Sequence, residues 1–195
     1  MDKFLTVVTL IFIYVATVFA TCKKNCNNTT YNFQVTINAV PDNDSILIND
    51  TVWFSIDEST ELRDLTTNNI VNFNGATNLS FVFGIWKVIS AQSLQPAAGS
   101  FTYFFKKGNF VSPVDSTFLR EFALVEEINR YKLQVGFIPK QTGIFRILVE
   151  NSANVSSRNV SCAKANFAIK FVNTNQHFYL GYNIWGEGVY YFKVK

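Results

Sequence analysis

Tyr31-Asn32-Phe33-Gln34-Val35-Thr36-Ile37-Asn38-Ala39-Val40 alternates without a break. Phe33, Val35, Ile37 and Ala39 fall on one side, and Asn32, Gln34, Thr36 and Asn38 on the other. A period of two places successive side chains on opposite faces, so residues 31–40 read as a half-buried strand. Working outward, Pro41-Asp42-Asn43-Asp44 is a turn, and residues 45–48 and 51–56 are strand pieces around Asn49-Asp50. Trp53 alternates with Val52 and Phe54, so one of these faces must be outward or covered by a loop. Residues 58–67 are polar, with Leu62 and Leu65 in a short turn, and the Asn-rich stretch 68–78 reads as loop. Residues 79–89 (LSFVFGIWKVI) are dense in β-branched and aromatic side chains, and Gly84 within them marks a bulge or a close backbone approach. Residues 101–107, 118–128, 131–138, 143–150, 162–172 and 189–194 complete the strands. Residues 118–127 are the most helix-like stretch, yet they too are read as strand.

Strands thus recur about every ten residues with turn signals between them, the pattern of an all-β antiparallel sandwich. Composition agrees. The 195 residues include 20 Phe, 8 Tyr and 3 Trp against one Met and four Pro, and aromatic residues favour strands. With 48% hydrophobic and 16% charged residues, the chain has material for a core, which excludes a disordered tail. A net charge of +3, evenly spread, gives no basic patch for nucleic acid. No linker divides the chain, so residues 31–195 are expected to form one domain.

Residues 4–20 (FLTVVTLIFIYVATVFA) carry no charge and follow Lys3. Residues 1–21 therefore read as a cleaved export signal, since a membrane span needs about 20 apolar residues and this run holds three Thr. An uncleaved anchor is the alternative. Two cleavage positions compete. Val18-Phe19-Ala20 suits cutting after Ala20, before Thr21. Phe19-Ala20-Thr21-Cys22 instead reads as a loose lipoprotein box, in which Cys22 becomes the first residue and its sulfur carries a diacylglycerol, with palmitate among the expected acyl chains. Each buried methylene contributes about 0.8 kcal/mol, so two or three chains would anchor the protein to a membrane in practice permanently. Residues 22–30 are then a polar tether.

Cys22, Cys26 and Cys162 make an odd count for an exported chain. Lipid on Cys22 leaves Cys26 and Cys162 to form a disulfide in an oxidising compartment; two free thiols are the alternative. No cofactor or metal motif is present, and with so few Cys and one His tetrahedral zinc is not expected. His177 has no orienting carboxylate near it in sequence, and no nucleophile-base constellation is visible, so no catalytic residue is assigned. Asp57, Glu58, Glu61 and Asp64, and likewise Glu126 and Glu127, read as solvated groups rather than paired acids, and Asp42-Asn43-Asp44 as a turn rather than a calcium loop. Trp53, Trp86, Trp185, Tyr182, Tyr190 and Tyr191 are either core or a sugar-stacking surface, because a flat ring buries the apolar face of a pyranose. Tyr182 and Trp185, in the loop-like YNIWGEG, are the candidate glycan contacts. Asn-x-Ser/Thr sequons begin at Asn27, Asn28, Asn43, Asn49, Asn78, Asn154 and Asn159; they carry a rival account, a secreted N-glycosylated eukaryotic glycoprotein.

Cys22-Lys23-Lys24-Asn25 resembles the start of lipoproteins from Bacteroidota. Pro41-Asp42-Asn43-Asp44-Ser45-Ile46, the run Asn49-Asp50-Thr51-Val52-Trp53-Phe54, and Gly143-Ile144-Phe145-Arg146-Ile147-Leu148-Val149 look like strand regions of the immunoglobulin-like domains in such lipoproteins. Cys162-Ala163-Lys164-Ala165-Asn166-Phe167 and Asn173-Thr174-Asn175-Gln176-His177 also fit that group. The resemblance implies an immunoglobulin-like β-sandwich on the cell envelope, lipid-anchored at the outer membrane, and implies no activity. The functional expectation is a non-enzymatic structural or interaction module with an envelope protein or a glycan as partner; the alternative is a glycan-binding accessory lipoprotein that uses exposed aromatics.

Overall fold

The computed structural model describes residues 29–43, 45–90, 92–111, 116–160, 162–172 and 188–195. The export segment, Cys22, Cys26, His177, Tyr182 and Trp185 lie outside them. In chain order the strands are β1 (Thr29–Val40), β2 (Ser45–Ile46), β3 (Val52–Ser59), β4 (Glu61–Arg63), β5 (Ile70–Asn72) and β6 (Ala76–Thr77). Then come β7 (Ser80–Ser90), β8 (Ser93–Pro96), β9 (Phe101–Lys107), β10 (Asn109–Phe110), β11 (Leu119–Ala123) and β12 (Val125–Glu127). The last are β13 (Arg130–Pro139), β14 (Gly143–Val149), β15 (Ser152–Ser157), β16 (Ala163–Phe171) and β17 (Val189–Val194). One turn of 3-10 helix, Ala98–Ser100, precedes β9. No helix among the described residues is long and apolar enough to cross a membrane.

The strands form two main sheets. The first runs β12-β13-β3-β1-β16-β15-β6, with β9 also paired to β13; the second runs β10-β11-β7-β14-β17-β2, with β8 on β7. A separate β4-β5 ribbon lies beside β1. The two sheets meet through their aromatic inner faces. Phe54 of β3 touches Phe83 of β7 at 6.0 Å and Tyr190 of β17 at 5.8 Å between ring centroids. Phe101 of β9 meets Phe145 of β14 at 4.8 Å. The fold is therefore an all-β sandwich, as the sequence pattern indicates. Most ladders are antiparallel, but β1 pairs with β16 and β17 with β2 in parallel.

Alternation sets the inner face. Phe33, Val35, Ile37 and Ala39 are buried in β1, and Val52, Phe54 and Ile56 in β3, which turns Trp53 outward. Residues 118–128 do not make one strand. They divide into β11, paired with β7, and β12, paired with β13, so the chain passes from one sheet to the other at Leu124. Stretches that the sequence presents as loop contribute the short strands β5 and β6, and β15 arises from SANVSS, which is mostly polar and edge-like. The Asn-rich turns have a backbone cause. Asn49, Asn68, Asn78 and Asn129, and Asn154 at the register shift within β15, have φ between 58° and 70°, a left-handed conformation that Asn tolerates better than most residues.

Candidate functional site: an aromatic row on the outer face of the first sheet

Four neighbouring strands, β1, β3, β13 and β9, bring one outward row into line. Val40 is opposite Trp53, Trp53 opposite Gly136, and Gly136 opposite Phe104. Gly136 has a local reason to lack a side chain. A Cβ there would lie 2.7 Å from Thr51 Cγ2 and 3.1 and 3.2 Å from Trp53 Cζ3 and Cη2. The indole therefore occupies the space above Gly136, and it reaches Phe104 edge to face with centroids 6.0 Å apart. Phe104 is 55% exposed and Val40 47%. Covering aromatic carbon this open with an apolar face would remove it from water favourably.

Polar groups flank the row. The next pair along joins Asn38 to Ser55 and Ser55 to Gln134. These three side chains make no hydrogen bond with other described residues. The β13–β9 ladder shifts register between Gln134 and Val135, so Lys106 is an extra residue in a bulge. Bulges re-aim side chains, and here Lys106 Nζ sits 4.2 Å from the centre of the Trp53 ring. It has no carboxylate within salt-bridge distance among the described residues, whereas its neighbour Lys107 is tied to Glu127 at 2.7 Å. Among the described residues the surface thus offers rings, free amide and hydroxyl groups, and the Lys106 ammonium over the Trp53 ring.

The other candidates fall elsewhere. Tyr190 is core, 1% exposed. Trp86 and Tyr191 lie on the outer face of the second sheet. The carboxylates are dispersed. Asp57 pairs with Arg130 at 2.5 Å, Glu58 accepts from the Thr36 amide at 2.9 Å, and Asp64 is buried beneath a turn. Glu126 accepts from the Gly75 amide at 2.7 Å. No group of three or more His, Cys, Asp or Glu able to hold a metal occurs among the described residues. Cys162 is disulfide-bonded, with a partner outside the described residues. Among the sequons, Asn49 and Asn78 adopt left-handed φ in connections and Asn154 does so at the irregularity in β15, while Asn159 Nδ2 already donates to Asn74 Oδ1 at 3.1 Å. Sequence reasoning missed Phe104 and Gly136, because Tyr103-Phe104-Phe105 shows no polarity contrast and a lone glycine carries no signal of what lies above it.

Fold and face together define a β-sandwich with an aromatic outer surface. No family model matches the chain, and no curated protein matches it. Among solved structures, the chain is similar to the human F-spondin reeler domain at 8% identity, covering 89% of this chain and 100% of that one with a TM-score of 0.41. It is also similar to the Yersinia pseudotuberculosis adhesin InvE at 17% identity, covering 70% of this chain but only 26% of the adhesin, with a TM-score of 0.24.

Proposed function

We propose that the protein is an exported, envelope-tethered binding module rather than an enzyme, and that the Trp53–Gly136–Phe104 face holds a saccharide. The cross-strand row, with an unpartnered Asn38–Ser55–Gln134 row beside it, carries this reading. Rings take the C–H face of a pyranose, and amides and hydroxyls exchange hydrogen bonds with its hydroxyl groups. A glycan array probed with the wild type, Trp53→Ala and Phe104→Ala tests it. Binding should fall at least about tenfold in both variants, as expected for truncation of buried aromatic anchors. Wild-type binding that survives both substitutions removes the site.

The tether is proposed at Cys22, with residues 1–21 removed. The disulfide on Cys162 supports an oxidising destination. Register supports Cys26 as its partner: Cys162 precedes Ala163, which lies opposite Thr29, and Cys26 is three residues before Thr29. Cys22 would need seven residues of chain to be folded back. That pairing leaves the Cys22 sulfur for acylation. Labelled palmitate should enter the wild type and not Cys22→Ala; equal labelling of the two excludes the anchor.

A further inference from the structure

The second sheet carries a row of different chemistry on its own outer face. Arg146 stands at the middle of β14, opposite Trp86 of β7 on one side and Tyr191 of β17 on the other. Phe118 extends the row by stacking on Trp86, with centroids 4.5 Å apart and planes at 29°. Trp86 is itself laid down over Gly84, where a Cβ would come within 3.2 Å of its Nε1. Ile144 and Leu148 flank Arg146 along the strand. The guanidinium therefore emerges from an apolar and aromatic floor at the centre of a sheet.

Its Nε is buried and makes no hydrogen bond, and the side chain has no salt bridge among the described residues. A buried donor left unmade is costly, and more so on a charged group. No acid among the described residues pairs with it. Glu121 is engaged by the Ser80 hydroxyl, and Glu150 lies four residues along, exposed, beyond the end of β14. The neighbouring outward pair adds a second cation, Lys193 opposite Ile144. Arg146 and Lys193 put two positive charges on this face among the described residues, and the donor that lacks an acceptor belongs to the planar fork that matches a carboxylate.

We propose that this row is a second binding site, separate from the Trp53 face, for a carboxylate-bearing sugar such as a uronate. Arg146 grips the carboxylate through the terminal nitrogens of its guanidinium, with the buried Nε lying behind them. The Trp86 and Tyr191 rings flank the sugar ring. No bond is made or broken.

The probe is a matched pair, oligogalacturonate and its methyl ester, titrated calorimetrically against the purified full chain. The acid should bind at least about tenfold more tightly than the ester, the least that one charge-assisted pair supplies. Arg146→Met should bring the acid down to the level of the ester, and Arg146→Lys, which keeps charge without the planar fork, should fall between them. Trp53→Ala should leave the preference intact, so failure of the first site and failure of this one read out separately. Arg146→Met should also melt no lower than the wild type, because it removes an unsatisfied donor. Equal binding of acid and ester, or undiminished acid binding by Arg146→Met, overturns the proposal. So does inorganic sulfate competing as strongly as the sugar, which would mark a bare anion pocket.

Discussion

Asp64 is 1% exposed, and three donors converge on it. Its Oδ1 accepts the Asn32 amide at 2.9 Å, and its Oδ2 accepts the Thr67 amide at 3.0 Å and the Thr67 hydroxyl at 2.7 Å. The Asn32 and Thr67 bonds hold its pKa below the ordinary 3.8, against the opposing effect of burial. Since the folded value is the lower one, this stabilisation is complete above the unfolded-state value and is lost as pH falls through the folded value. Asp64→Ala should cost about 2–4 kcal/mol at neutral pH, from the amides left bare. Asp64→Asn should cost less, and its deficit should shrink as urea melts are taken from pH 6 towards pH 2. A deficit independent of pH would mean that the charge is not what the turn uses. Tyr131 makes a comparable case without a charge. Its hydroxyl donates to the Phe73 carbonyl under the core, and burial raises its pKa. Tyr131→Phe should lower stability by about 1–2 kcal/mol in the same melts.

At the scale of elements, the β12–β13 hairpin shows a conflict between turn and side chain. Glu127 is opposite Arg130, so Ile128 and Asn129 form a two-residue loop, with φ of 49° and 58°. Two positive φ values make the turn that matches strand twist, and Asn or Gly belongs there. Ile128 is β-branched and 93% exposed, so it accepts the strained backbone and buries nothing in return. Ile128→Asn should raise the unfolding free energy by about 1 kcal/mol, measured by chemical denaturation; no gain would show the hairpin to be held wholly by its ladder. Elements also show what the sequence discloses. Strands such as β1 and β9 were legible because apolar residues alternate or aromatics crowd together. β15 was not, since six mostly small polar residues reveal neither face. The crossing at Leu124 was hidden because residues 118–128 are suited to strand on both sides of the change of sheet. The candidate site was half visible. Trp53 stood among the candidate rings, but the alternation left open which face of β3 points out, and its alignment with Phe104 depends on register across three strands, which no local pattern contains.

At the scale of the molecule, stability rests on rings that span the sandwich. Phe54 is fully buried and contacts Phe83, Phe137, Phe171 and Tyr190. Truncation to Ala should cost about 3–5 kcal/mol through lost transfer energy and an unfilled cavity, a large share of the 5–15 kcal/mol typical of a domain. Thermal melts of Phe54→Ala and Phe54→Leu should rank in that order. The same interior keeps Tyr103 in its neutral form: it is largely enclosed, its hydroxyl donates to the Ala98 carbonyl at 2.6 Å, and burial raises its pKa.

The parallel β1–β16 ladder has a directional consequence. β1 has Thr29 at one end and Val40 at the other, over 12 residues, a span of up to about 36 Å at ordinary strand rise. Cys162 and the point of entry share the near end, and Val40 opens the Trp53 row at the far one. A chain moored before Thr29 would hold these rings a full strand length from its mooring point, at the opposite end of the sheet.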